Sequence, residues 1–178
     1  MGDRAVIAAQ IERPPRSPVD VEARCHLEVP VVTKVPPLLD DGTPFPTTYW
    51  LTCPLAVVRI GRIEAGGGVK TAEAMIEDDP ALGDSYRAAM DRYGDVRDAL
   101  IPADHDGPRP SGGVGGSQGG VKCLHAHYAD HAAGNENPIG AWVAPEVEPL
   151  NCTVPCVVEV DGDVVRNPEW IEPAHFQR

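Results

Sequence analysis

Several things are scarce in this 178-residue chain. Phenylalanine occurs twice, and aromatic residues make up only 5% of the sequence. Leu, Ile, Val and Phe together account for 40 residues, just above the roughly 20% below which a highly charged chain does not fold. No apolar run approaches the roughly 20 residues that cross a bilayer, so a membrane-spanning role is not expected. The first fifteen residues contain no long apolar stretch followed by a small-residue cleavage site. A secretory leader is therefore not expected, and the cytoplasm is the expected location. Basic residues are outnumbered, 15 against 27 acids, for a net charge of -12. That balance repels phosphate backbones and argues against nucleic-acid binding, leaving a metal ion, a small ligand or a protein partner.

Familiar catalytic signatures are missing as well. The Gly66-Gly67-Gly68-Val69-Lys70-Thr71 segment fails as a phosphate loop, because Val69 stands where a glycine must precede the lysine. The glycine-rich stretch 112–120 lacks the Gly-x-Gly-x-x-Gly frame. There is no Gly-x-Ser-x-Gly, no His-Glu-x-x-His and no paired Cys-x-x-Cys.

What is present describes an α+β domain: a small twisted sheet packed on several helices, with one loop rich in glycine and proline. Asp3 is placed to cap a helix over 4–12, with Val6, Ile7 and Ile11 on its apolar face. Residues 16–22 read as a linker. Residues 27–35 and 47–52 are strand-like, and Pro30 assigns the first to an edge or a bulge. Cys53-Pro54 opens a helix whose residues Val57, Ile60 and Ile63 should face the core while Arg59 and Arg62 point elsewhere. Residues 71–78 suit a short helix. Asp79-Pro80 starts the next, in which Leu82, Tyr86, Ala89, Tyr93, Val96 and Leu100 give the clearest helical period of the chain. The acids of 71–100 then form a solvated outer face. Residues 102–121 read as a flexible loop and 122–133 as a helix. Asp161-Gly162 marks a hairpin between 156–160 and 163–166.

The chemistry-bearing residues are five cysteines, Cys25, Cys53, Cys123, Cys152 and Cys156, and a histidine-rich run, His125, His127 and His131. An odd cysteine count without a leader argues against a disulfide scaffold. On a regular helix Cys123, His127 and His131 share a face; if the first turn is extended, Cys123 and His125 converge instead. Zinc accepts thiolate and imidazole ligands. Cys53, at a helix start, should have a lowered thiol pKa and could act as a nucleophile. Against these stands the plainer reading of packed, free thiols.

Several segments resemble a known family: Asp41-Gly42-Thr43-Pro44-Phe45-Pro46-Thr47 continuing to Leu51-Thr52-Cys53-Pro54, with Arg24-Cys25, Ile63-Glu64-Ala65, Val121-Lys122-Cys123-Leu124-His125 and Asn137-Pro138-Ile139-Gly140. They are similar to the domain of unknown function 501 family of actinobacterial proteins. The resemblance runs to about residue 157, leaving 158–178 as a hairpin and tail. It implies family positions at Cys25, Cys53, Cys123, His125 and Cys156, a candidate ligand set for zinc that would reinforce a thin core. It also implies a setting beside septum formation or exopolyphosphatase genes, and so a role in cell division or polyphosphate metabolism. Three functions follow as expectations. One is an accessory protein with a zinc site. Another is an enzyme using Cys53 or Cys123 with His125 as base. The third is an adaptor that docks an unknown protein partner through its acidic helix or tail.

Overall fold

The computed structural model describes residues 1–174; the last four residues of the tail, His175 among them, lie outside the described residues. The described residues form a three-stranded antiparallel sheet, six α-helices and a separate two-stranded hairpin, an α+β architecture.

The sheet contains β1 (Asp20–Arg24), β2 (Pro30–Lys34) and β3 (Tyr49–Leu51), in that spatial order. β1 begins inside the stretch, 16–22, that reads as a linker from sequence, and runs two residues past it. Its alternation of exposed and half-buried residues gives almost no apolar signal. β2 is shorter than its β-branched sequence suggests, because residues 26–28 turn back and Glu28 adopts a left-handed conformation (φ 58°). β2 is the central strand. Pro30 is tolerated at its first residue, beside irregular register in β1.

Helix α1 (Asp3–Ile11) begins at Gly2 rather than at an Asp3 cap, and Asp3 instead pairs with Arg24. Its buried face is Val6, Ile7 and Gln10; Ile11 is only partly covered. Helix α2 (Pro54–Ala65) starts at Cys53 as expected but is rotated from the expected face. Val57 is exposed, while Arg59 is buried at 3% exposure. Its guanidinium donates to the carbonyls of Val147 (2.6 Å) and Pro149 (2.7 Å) and to Asn151 Oδ1 (2.8 Å). A cation that satisfies carbonyls at and beyond a helix C-terminus explains why this arginine faces inward. Helices α3 (Gly68–Asp78) and α4 (Pro80–Asp98) follow. Asp79 caps α4 by accepting from the N–H groups of Ala81 and Leu82. Tyr86, Ala89 and Tyr93 face inward as the period predicts; the register ends on buried Arg97 rather than on Leu100.

The segment that follows α4 contains a short 3-10 turn, Val114–Gly116, whose Val114 is fully buried. Arg97 ties the segment to α4 by donating to the Gly112 carbonyl (2.5 Å). Helices α5 (Leu124–Ala132) and α6 (Pro138–Val147) pack closely. A Cβ at Gly140 would lie 2.3 Å from the His127 carbonyl oxygen, so only glycine permits this crossing. The hairpin of β4 (Val157–Val160) and β5 (Asp163–Arg166) turns at Asp161-Gly162, both at positive φ, and packs on α1. Among the described residues, no helix is long and apolar enough to cross a membrane.

Candidate metal centre

The first site is built where the end of α2 meets the start of α5. Cys123 is extended (φ -159°, ψ 143°) and serves as N-cap of α5, its Sγ accepting the Ala126 N–H at 3.4 Å. This is the extended first turn that brings Cys123 and His125 together, rather than the helical face Cys123/His127/His131. Glu64, near the C-terminal end of α2, accepts the Leu124 N–H at 2.6 Å. A carboxylate and a sulfur therefore both serve free N–H groups at the positive end of α5.

His125 completes the group. Its Nδ1 lies 3.1 Å from Glu64 Oε1 and its Nε2 lies 3.1 Å from the Val57 carbonyl oxygen. With an acceptor at each nitrogen, the ring favours the doubly protonated form. Burial opposes that charge, but Cys123, Glu64 and the Val57 carbonyl outweigh it and push the pKa up to about 9. One ligand atom from each of Glu64, Cys123 and His125 lies within 4.8 Å of the others, and the three could hold a metal ion. The site borders a cleft of about 350 Å³, lined also by Tyr49, Trp50 and Lys122.

The five cysteine and histidine positions implied by the resemblance fall in two places. Cys123 and His125 share this site with Glu64. Cys25, Cys53 and Cys156 line a small, otherwise apolar cavity whose lining residues do not overlap those of the cleft. Cys152 lines it with them. Among the described residues, no three of these sulfurs come within 4.8 Å of one another. Helix-start activation does not prevail at Cys53. Burial pushes its thiol up to about 12, against the smaller opposing effect of the Ala56 and Leu55 N–H groups. Burial therefore favours the protonated thiol at Cys53 and opposes the activation expected of a helix start.

His127 and His131 take other roles. His127 is buried, and its Nδ1 donates to Asn137 Oδ1 at 3.1 Å. The same oxygen caps α6 by accepting the Gly140 N–H (2.9 Å), and Asn137 Nδ2 donates to Asp130 Oδ2 (2.9 Å). Arg92 closes the network with an ion pair to Asp130. Burial pushes the His127 pKa down to about 4, so its ring is neutral. His131 lines a shallow open cleft beside Arg92.

Glu64 is the site residue that sequence reasoning missed. A carboxylate sixty residues away has no spacing relation to Cys123 and His125. Its available signal was membership of the Ile63-Glu64-Ala65 segment.

Fold and site define a small α+β protein with a carboxylate, a thiol and an imidazole gathered at a cleft. Residues 21–145 match the family model described as "Protein of unknown function (DUF501)", and the chain belongs to that family. No curated protein and no solved structure matches it.

Proposed function

We propose that this DUF501 protein is a cytoplasmic accessory metalloprotein that holds zinc between Glu64, Cys123 Sγ and His125 Nδ1. The observation that carries this reading is the gathering of the three donors with the second histidine nitrogen already engaged. A ligating histidine commonly donates its other ring N–H to a carbonyl or carboxylate, which fixes ring and tautomer. The Val57 carbonyl does this for Nε2 and leaves Nδ1 directed at Glu64. Oxygen, sulfur and nitrogen donors suit zinc, and three protein ligands leave a fourth position for water or a small ligand from the cleft. The neighbouring genes implied by the family resemblance point to service in cell division or polyphosphate metabolism. Elemental analysis tests the reading: zinc should accompany the purified protein, and Glu64→Gln and His125→Gln should each carry one zinc equivalent fewer than the wild type. Equal zinc in wild type and both variants would refute it.

A second reading is favoured by the placement of Cys123 at a helix N-terminus beside a charged imidazole. A thiol beside an imidazole is the nucleophile–base pairing of a cysteine-dependent enzyme. It requires that Cys123 of the metal-free protein alkylate much faster than the other cysteines at neutral pH, and that His125→Gln abolish the difference. Uniformly slow labelling would exclude it.

A further inference from the structure

Four of the five cysteines line one cavity. Cys25 follows β1, Cys53 precedes α2, and Cys152 and Cys156 lie on the segment joining α6 to β4. The cavity measures about 10 Å³, roughly the space of a single water. Its other walls are largely hydrocarbon, with Gln10 as the polar side chain among them. Two N–H groups are already aimed at the sulfurs: Trp170 Nε1 donates to Cys152 Sγ (3.3 Å), and Gln10 Nε2 reaches Cys156 Sγ (3.6 Å). Gln10 is 7% exposed, and its Oε1 is buried without a hydrogen-bond partner among the described residues. Two guanidiniums lie within electrostatic reach, Arg59 of Cys53 and Cys152, and Arg166 of Cys156. Arg166 Nη1 is itself buried and unpartnered among the described residues.

We propose that this cavity is a second metal site, in which the thiolates of Cys25, Cys53, Cys152 and Cys156 hold one thiophilic divalent cation of the zinc class. On binding, each thiol releases its proton to solvent and its sulfur donates a lone pair to the cation; nothing is oxidised or reduced. Four thiolates around a divalent cation carry excess negative charge, which Arg59 and Arg166 offset. The N–H donors on Cys152 and Cys156 supply the outer hydrogen bonds that tune such sulfurs. Tetrahedral bonds of about 2.3 Å put sulfurs roughly 3.8 Å apart. Binding therefore draws the four inward and fastens the α6–β4 segment to the sheet and to the start of α2. The site shares no ligand with the Glu64/Cys123/His125 group and stands or falls separately from it.

The test uses the full chain, reduced, stripped of metal with a chelator and titrated with zinc. Alkylation of each cysteine is followed by peptide mass spectrometry. Zinc should slow labelling of Cys25, Cys53, Cys152 and Cys156 together by roughly tenfold or more, because a metal-bound thiolate is withdrawn from reaction. The protection should persist in His125→Gln. Cobalt substitution should give a thiolate-to-metal charge-transfer band that weakens in Cys152→Ser and survives in His125→Gln. Protection confined to Cys123, a cobalt band unchanged in Cys152→Ser, or no zinc effect on the four cysteines in wild type would overturn the proposal. The wild-type protection pattern decides the matter even if a cysteine variant fails to fold.

Discussion

His125 and His127 stand two residues apart on one helix, in opposite surroundings. His125 projects toward the end of α2, where a carboxylate, a thiol and a carbonyl surround it and raise its pKa to about 9. His127 projects into the α5–α6 contact, where an amide oxygen is its hydrogen-bonding partner and burial lowers its pKa to about 4. The rings point about 200° apart at the helical period. Both are desolvated, so burial alone does not separate them. The separation comes from whether formal negative charge lies beside the ring. A charged ring beside Glu64 and Cys123 can exchange its proton for a metal. A neutral ring locked to Asn137 has structural work to do and little chemistry.

The structural half of this contrast should produce the largest effect. Asn137 caps α6, accepts from His127 and donates to Asp130. Asn137→Ala removes all three contacts, leaving the Gly140 and His127 N–H groups without this acceptor and Asp130 Oδ2 held by Arg92. The expected loss is about 3 kcal/mol, measured as a drop in the urea midpoint at constant slope. A loss below about 1 kcal/mol would show that the network is not holding α5 against α6.

Next comes pH. His127 has a folded pKa below its unfolded value of 6.5, so its contribution is full above about 6.5 and is lost as pH falls toward about 4. His125 has a folded pKa above 6.5, so its contribution is full below about 6.5 and is lost as pH rises through about 9. Each limb has a slope of at most about 1.4 kcal/mol per pH unit. In metal-free protein, NMR titration should find one imidazole titrating near 9 and another near 4. Two rings titrating together near 6.5 would erase the comparison. Glu64→Gln sharpens it: the His125 midpoint should fall by about one unit or more while that of His127 stays in place.

The two histidines also show how much the residues disclose before folding. Helix α4 was legible because its apolar positions repeat at 3.6 and Asp79-Pro80 marks its start. The hairpin was legible because Asp161-Gly162 demands positive φ. Helix α6 was not, because Ile139 to Val147 is apolar nearly all round and contains Pro145, so no polar face reveals its period. The inward turn of Arg59 was hidden because its partners, carbonyls at and just past the end of α6, are 88 and 90 residues away. At the Glu64/Cys123/His125 group, Cys123 and His125 were visible as a local pair. Whether they converge depended on one extended residue, and Glu64 could join them only through packing of α2 on α5. The four-cysteine cavity was partly legible as a set of cysteines, but sequence could not sort them from Cys123.

The smallest stability effect belongs to the residue with the greatest chemical consequence. Cys123 caps α5 through sulfur at 3.4 Å, a long and weak bond. Serine is among the best N-caps, so Cys123→Ser should preserve or tighten this end of the helix and change stability by no more than about 0.5 kcal/mol. Its effect on the site should be large, because a neutral hydroxyl replaces a thiolate donor. Zinc affinity should fall by more than the roughly 10–100-fold that loss of an outer hydrogen-bonding partner costs. The His125 pKa should fall as well, since Cys123 is one of the groups that raise it. Isothermal titration with zinc and a urea melt on the same sample separate the two outcomes. Unchanged affinity with unchanged stability would leave Cys123 as a helix cap alone. Lost affinity with unchanged stability would show that the α5 N-terminus is shaped for a ligand rather than for the fold.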